Sequence, residues 1–178
     1  MKVYVETDRI LMRELVRADA DAFFEMDADP EVHTYLGKHP ITSKKEALDM
    51  INFIRQQYLD YGIGRWAIVD KKSNEFVGWG GMKLRTDTTN DHTGYYEVGY
   101  RLLRKHWGKG YATESAKASL KYAFEVLHLD KVYAMAHADN IASRKALQKS
   151  GLTITNHFEY EGMPCDWFEI SKLDWEAG

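Results

Sequence analysis

Residues 97–112 read EVGYRLLRKHWGKGYA, and this stretch holds a strand, a glycine-rich turn and a helix start in sequence. Residues 95–103 read as the strand. The turn is Trp107-Gly108-Lys109-Gly110-Tyr111-Ala112, and it opens the clearest helix of the chain, residues 110–127. That helix has an inward stripe of Ala112, Ala116, Leu120, Ala123, Phe124 and Leu127 at helical spacing. A helix start offers unpaired backbone N–H groups and the positive end of the helix dipole, which together suit a phosphate-bearing anion. Gly108 and Gly110 let the backbone come close to such an anion, and Lys105 and Lys109 add positive charge.

Two common phosphate motifs fail against the letters. A P-loop needs Gly-Lys-Ser/Thr after four spacer residues, which Gly108-Lys109-Gly110 does not supply. A dinucleotide fingerprint needs a third glycine where Thr113 stands. Taken alone, the turn also fits a plain chain reversal, so the rest of the chain has to decide.

Upstream, residues 9–13 form an opening strand, and residues 18–28 a short helix that ends ahead of Pro30. Ser43-Lys44-Lys45-Glu46 is a capping box for a second helix, with Ala47, Ile51, Ile54 and Tyr58 along one face. Strands at 65–69 and 76–82 flank the polar turn of residues 70–74 as a hairpin. Downstream comes a buried strand at 132–136, then a helix capped by Asn140 and stopped by Gly151. Closing strands at 153–160 and 167–173 flank a turn at Glu161-Gly162. The order is α+β with a mixed sheet rather than a repeating βαβ array.

Composition narrows the class. The 178 residues, 44% hydrophobic and 29% charged, fit one globular domain spanning 1–178 with a sizeable core. No apolar run approaches the roughly 18 residues of a membrane span, and the opening residues lack the apolar core of a secretion signal. One cysteine, Cys165, cannot close an internal disulfide, which suits a reducing compartment. The expectation is a cytoplasmic protein with no membrane partner. With 24 basic against 27 acidic residues, no nucleic-acid surface is advertised. No His, Cys, Asp and Glu set has metal-ligand spacing.

The 97–112 stretch, followed by Asn140-Ile141-Ala142-Ser143-Arg144, resembles the GNAT superfamily of N-acetyltransferases, and most closely its RimJ/RimL-type branch. The resemblance covers nearly the whole chain: residues 7–13 match the branch's opening strand and Trp175 its closing tryptophan. It implies a mixed, mostly antiparallel seven-stranded sheet flanked by about four helices. It also implies an acetyl-CoA cofactor and an amine acceptor. The family's cradle pattern is Gln/Arg-x-x-Gly-x-Gly/Ala. Gly110 and Ala112 match its last positions, while Trp107 stands in the Gln/Arg place. By this resemblance Trp107, Gly108, Lys109, Gly110, Tyr111 and Ala112 grip the pyrophosphate, and backbone groups of Leu102 and Leu103 pair with the pantetheine arm. Asn140 faces that arm. A homodimer is compatible with the family.

Acetyl transfer needs a neutral amine, yet an α-amino group has a pKa of about 8 and a lysine about 10.4. A base must therefore take a proton, and the departing thiolate benefits from a donor. Glu97 matches the family's usual base position, and burial between strands can tune a carboxylate for that task. Its alternative is an exposed strand glutamate. Ser143 matches the branch's proposed acid position. It stands as an acid or as a cofactor contact, because a hydroxyl early in a helix can also serve the backbone. His137, and Tyr95, Tyr96 and Tyr100, read as structural. No nucleophile–base pair argues for a covalent intermediate, so the amine attacks directly.

Acceptor contacts are sought in the first two helices and the final hairpin, with Tyr35, Trp66, Trp79, Glu159 and Trp167 as candidates. The acceptor itself stays open between a protein or peptide amino terminus and a small amine such as a polyamine or aminoglycoside. A non-catalytic acyl-CoA-binding module is a third reading.

Overall fold

Eight strands make one mixed sheet in the computed structural model, which describes residues 1–178. They are β1 (Val3–Glu6), β2 (Ile10–Arg13), β3 (Trp66–Asp70), β4 (Phe76–Arg85), β5 (Tyr95–Leu102), β6 (Lys131–His137), β7 (Thr153–Tyr160) and β8 (Met163–Ser171). Their spatial order is β1-β2-β3-β4-β5-β6-β8-β7. All neighbours are antiparallel except β5 and β6. The helices are α1 (Ala20–Asp27), α2 (Lys44–Tyr61), α3 (Tyr111–Glu125), α4 (Ile141–Lys149) and α5 (Lys172–Ala177).

Both expected counts are corrected: the sheet has eight strands rather than seven, and there are five helices rather than four. The additional strand, β1, is four residues long and irregular, with its register shifting between Val3 and Val5. It owes its place to tertiary packing, since the Tyr4 ring stacks on Trp66 with centroids 4.7 Å apart. The fifth helix begins where the sequence suggests that the last strand continues. Ser171 accepts a hydrogen bond from Asp174 N and turns the chain into α5.

Local chemistry explains the better-marked boundaries. Ser43 and Glu46 cap α2 reciprocally, with Glu46 N to Ser43 Oγ at 3.3 Å and Ser43 N to Glu46 Oε2 at 2.9 Å. Gly62 closes α2 in the left-handed region. Glu161 and Gly162 both have positive φ, 49° and 79°, as a two-residue hairpin turn requires.

The sheet separates two cores. On one face α1 and α2 pack Phe23, Met26 and Ile51 against Leu15, Ala67 and Val69. On the other, α3 brings Leu120 and Phe124 to Trp66, Val98 and Phe168. Each fully buried large side chain contributes roughly 1.5–3 kcal/mol, which fixes β5 and β6 between two filled layers.

The two parallel strands barely touch. They share one bridge, Glu97 with Tyr133. β6 pairs with β8 along its whole length, and β5 stays on β4 as far as Leu102 opposite Gly78. Beyond Glu97 the facing edges of β5 and β6 therefore part, leaving backbone groups that no strand occupies.

Candidate functional site

The fork between β5 and β6 opens into a cavity of about 810 Å³. Its walls include residues 98–102, Met135 and His137, the start of α4, and Trp107, Gly108 and Ala112. Arg65, Trp79, Tyr35, Tyr160 and Glu161 also line it.

At one end stands the start of α3. Gly110 is its N-cap, at φ 83°, and no side chain caps the helix. Glu114 N is the first amide bonded back to Gly110 O, at 3.1 Å. The amides of Tyr111, Ala112 and Thr113 are thus the free donors of the first turn. Gly108 is also left-handed, at φ 72°. These two glycines are required here because a side chain at such φ is strained.

Arg9, Glu114 and Asp70, which sequence reasoning did not place at the site, brace this loop. Arg9 donates to Lys109 O at 2.9 Å and to Glu114 Oε2 at 2.7 Å, and its guanidinium lies 4.6 Å from the Tyr111 ring centroid. Tyr111 Oη donates to Asp70 at 2.7 Å. Lys105 pairs with Glu75, whereas Lys109 has no ion-pair partner.

The strand edge beside the loop offers less than expected. Leu103 N donates to Val77 O at 2.9 Å, so it faces β4. Since successive strand amides alternate sides, Leu102 N faces the fork. Leu102 O accepts from the Trp107 indole N–H at 3.0 Å, which gives Trp107 a bracing role. Leu103 itself is buried on the α1–α2 side.

Across the fork, Asn140 caps α4 by accepting from Ser143 N at 3.2 Å. Tyr100 Oη lies 2.9 Å from Ser143 O and 3.1 Å from Ser143 Oγ. The carbonyl only accepts, so the phenol donates to it. Burial pushes the Tyr100 phenol up to about 12, partly offset by the bond to Ser143, and keeps the proton in place. His137 lies at the cavity wall, its Nδ1 accepting from Asp139 N, with its ring 5.2 Å from that of Tyr35.

Glu97 stands at the apex of the fork, buried rather than on a solvent face. Arg65 Nη2 donates to its Oε1 at 2.7 Å and Arg85 Nη1 to its Oε2 at 3.2 Å. Arg65 also donates to the backbone carbonyls of Gly81 and Glu97. Gly99 makes room for this arrangement, since a Cβ there would lie 2.7 Å from Arg65 Nη2. Burial disfavours the Arg65 charge, and the Glu97 carboxylate offsets that. Hydrogen bonding to Asp87 raises Arg85, so its charge is secure. A carboxylate has about four lone-pair positions, so Glu97 keeps acceptor capacity beyond these two bonds. A buried arginine demands a buried acid. That was the available signal for the network, in the letters Arg65-Trp66 at the start of an apolar strand.

Of the five acceptor-contact candidates, Tyr35 and Trp79 line the cavity. Trp66 and Trp167 are core residues at 0% and 1% exposure, and Glu159 lies outside the lining, where its neighbours Tyr160 and Glu161 take part instead. Cys165 also lines the cavity, and burial raises its thiol pKa, which disfavours the thiolate.

Comparison with known proteins identifies the family. The acetyltransferase (GNAT) domain model matches residues 9–153. The uncharacterized N-acetyltransferase p20 of Bacillus licheniformis is 32% identical over 172 residues, covering 94% of each chain. Among solved structures, spermidine N-acetyltransferase from Vibrio cholerae, in complex with CoA and spermine, is similar at TM-score 0.76 and 18% identity. That match covers 96% of this chain and 99% of the other. Ribosomal-protein-S5-alanine acetyltransferase from Vibrio fischeri is similar at TM-score 0.77 and 15% identity, covering 98% and 99%. At such identities the two structures speak for the fold alone. The domain match and the relative that spans nearly the full length carry the assignment: this chain belongs to the GNAT family and is an N-acetyltransferase.

Proposed function

We propose that the enzyme transfers acetyl from acetyl-CoA directly to an amine, with the cofactor arm lying in the fork between β5 and β6. The observation that carries this reading is the fork itself. It opens beside Glu97 and leads to an uncapped helix start framed by two left-handed glycines.

The residues fit such a cofactor. Gly108, Gly110, Tyr111 and Ala112 would offer backbone donors to the pyrophosphate, with the unpaired Lys109 beside them. Leu102 would extend the strand edge to the arm, and Leu103 and Trp107 would back it. Asn140 and Ser143 would close the opposite side from α4. GNAT acetyltransferases use acetyl-CoA, which supplies an acyl group already activated as a thioester.

On the acceptor side, Glu97 takes the proton of the incoming ammonium, through a water, at a lone pair that neither arginine uses. Ser143 Oγ, turning from Tyr100 Oη, donates a hydrogen bond to the departing sulfur, which leaves as the thiol with the second proton of the amine, while Tyr100 holds the Ser143 backbone carbonyl. Holding amine and thioester in register contributes much of the rate on its own.

For the acceptor we favour a peptide or protein amino terminus, as in the RimJ/RimL-type branch. A small polycationic amine is the second reading. It is favoured by Glu31 and Glu161, cavity residues without ion-pair partners, in a lining that contains no lysine.

The test is free-thiol release from acetyl-CoA with amino-terminal peptides, polyamines and aminoglycosides, for wild type and Glu97→Gln. Turnover of one amine class is expected, with Glu97→Gln losing about 100-fold or more in kcat and retaining CoA binding. Full activity in Glu97→Gln removes the base assignment. Failure to bind CoA removes the whole reading.

A further inference from the structure

Arg101 lies on β5 on the same face as Glu97 and Gly99, following the two-residue period of a strand. It lines the cavity with its side chain 23% exposed. Its one side-chain hydrogen bond runs from Nη1 to Asp27 Oδ1, at 2.9 Å. Nε and Nη2 donate to nothing within the protein. Arg65, the other arginine of the lining, differs in spending its fork on Gly81 O, Glu97 O and Glu97 Oε1.

Arg101 is also held in place. Its guanidinium carbon lies 4.9 Å from the centroid of the Trp79 ring, and Asp27, buried on α1, anchors one edge. Asp27 neutralises its charge, while His33 nearby is kept neutral, its pKa lowered by burial and by Arg101 itself. What this residue of the cavity wall keeps free is therefore a rigid, charge-compensated pair of N–H donors. Such a group favours a planar oxygen acceptor and offers an ammonium nothing.

Building on the acetyltransfer reading above, we propose that Arg101 reads an oxygen on the acceptor. The preferred acceptor then carries a carbonyl or carboxylate carbon next to the carbon that bears its reacting amine. Free α-amino acids and peptide amino termini share that chemistry; polyamines lack it. Glu31 and Glu161, also in the lining, would then meet cationic groups beyond the first residue rather than the reacting amine.

The experiment compares wild type with Arg101→Lys, which keeps a cation for Asp27 and loses the planar fork. Four amines serve as probes: alaninamide, the tripeptide Ala-Ala-Ala, free alanine, and isopropylamine, in which a methyl group stands in place of the carboxamide of alaninamide. The kcat/KM preference for the carbonyl-bearing probes over isopropylamine should fall roughly 10- to 100-fold in Arg101→Lys, mostly through KM. A larger effect on free alanine identifies a carboxylate as the reader's target, and a larger effect on alaninamide and the tripeptide a peptide carbonyl. Equal losses on all four amines, or no loss, overturn the proposal, since an anchor of α1 or a thioester contact acts on every acceptor alike. Calorimetric titration of alaninamide into the CoA-bound protein supplies a readout that does not need turnover. Equal affinity in both proteins overturns the inference even if no probe is acetylated, whereas absent turnover with a retained affinity difference counts against the catalytic reading alone. A thermal melt of Arg101→Lys confirms that the comparison is between folded proteins.

Discussion

Ser143 has a single hydroxyl proton, and the structure surrounds it with a more acidic but firmly protonated neighbour. Tyr100 donates to the Ser143 carbonyl, and its oxygen is 3.1 Å from Ser143 Oγ. Tyr100 already spends its one proton on that carbonyl, and burial keeps the proton there. Its part is to hold the Ser143 backbone, and with it the place of Oγ, while its own oxygen accepts a hydrogen bond from the serine hydroxyl in the resting site. Removing the phenol oxygen should therefore act through Ser143. Tyr100→Phe and Ser143→Ala are each expected to lower kcat, and the double variant to lower it little further than the worse single one. Steady-state kcat across this cycle checks the coupling. Fully multiplicative losses would mean that the two residues act separately. Glu97 is a parallel case, because its guanidinium partners fix the direction of the remaining lone pairs. For both residues, proximity to the reacting atoms and placement by a neighbour are separate requirements.

The α4 helix turns that residue chemistry into a property of an element. Asn140 caps it through Ser143 N, so one side chain sets both the start of the helix and the position of Ser143. Asn140→Ala should cost about 1 kcal/mol, or roughly 2–4 °C in Tm for a chain of this size. Asn140→Asp, which can still cap, should recover most of it in a thermal melt. This cap was legible in the letters, as were the Ser43–Glu46 box and the Glu161-Gly162 turn, because each depends on residues within a few positions of one another. β1 and α5 were not, since Tyr4 finds Trp66 only after the chain has folded and Ser171 ends a strand whose pattern runs on. The site shows the same division. The cradle is contiguous in sequence and could be read from Gly108 to Ala112. The fork could not, because it arises from β6 choosing β8 over β5. The ion pairs of Glu97 and Arg101 also escaped notice, as Arg65 lies 32 residues from Glu97 and Asp27 lies 74 from Arg101.

Across the whole molecule, burial has placed two histidines where they cannot easily charge. His33 is lowered by desolvation and by Arg101; His106, in the turn before the cradle, is lowered by desolvation and by Lys105 and Lys109. None of their ring nitrogens has a hydrogen-bond partner. Each folded-state pKa lies below the unfolded value of about 6.5, so below that pH the unfolded chain binds more protons and stability falls. Asp70 is depressed to about 2 by the Ser73 amide and the Tyr111 hydroxyl, and Asp87 is also lowered, by Arg85. Their contribution is present above about 4, the ordinary aspartate value, and is lost as pH falls below it. Acid should therefore act in two stages, first through the histidines and then through the carboxylates. Tm is expected to be level above about pH 7, to fall from about 6.5 downward, and to steepen again below about 4. The variant His33→Leu/His106→Leu should flatten the first stage and leave the second. An unchanged slope between pH 7 and 5 would assign the early loss to other groups. Because His33 adjoins Arg101 and Asp27 while His106 leads into the cradle, the same protonation bears on both ends of the cavity. Cofactor affinity should accordingly decline with Tm through the first stage in wild type, and the double variant should remove that first-stage decline from both while the carboxylate stage remains.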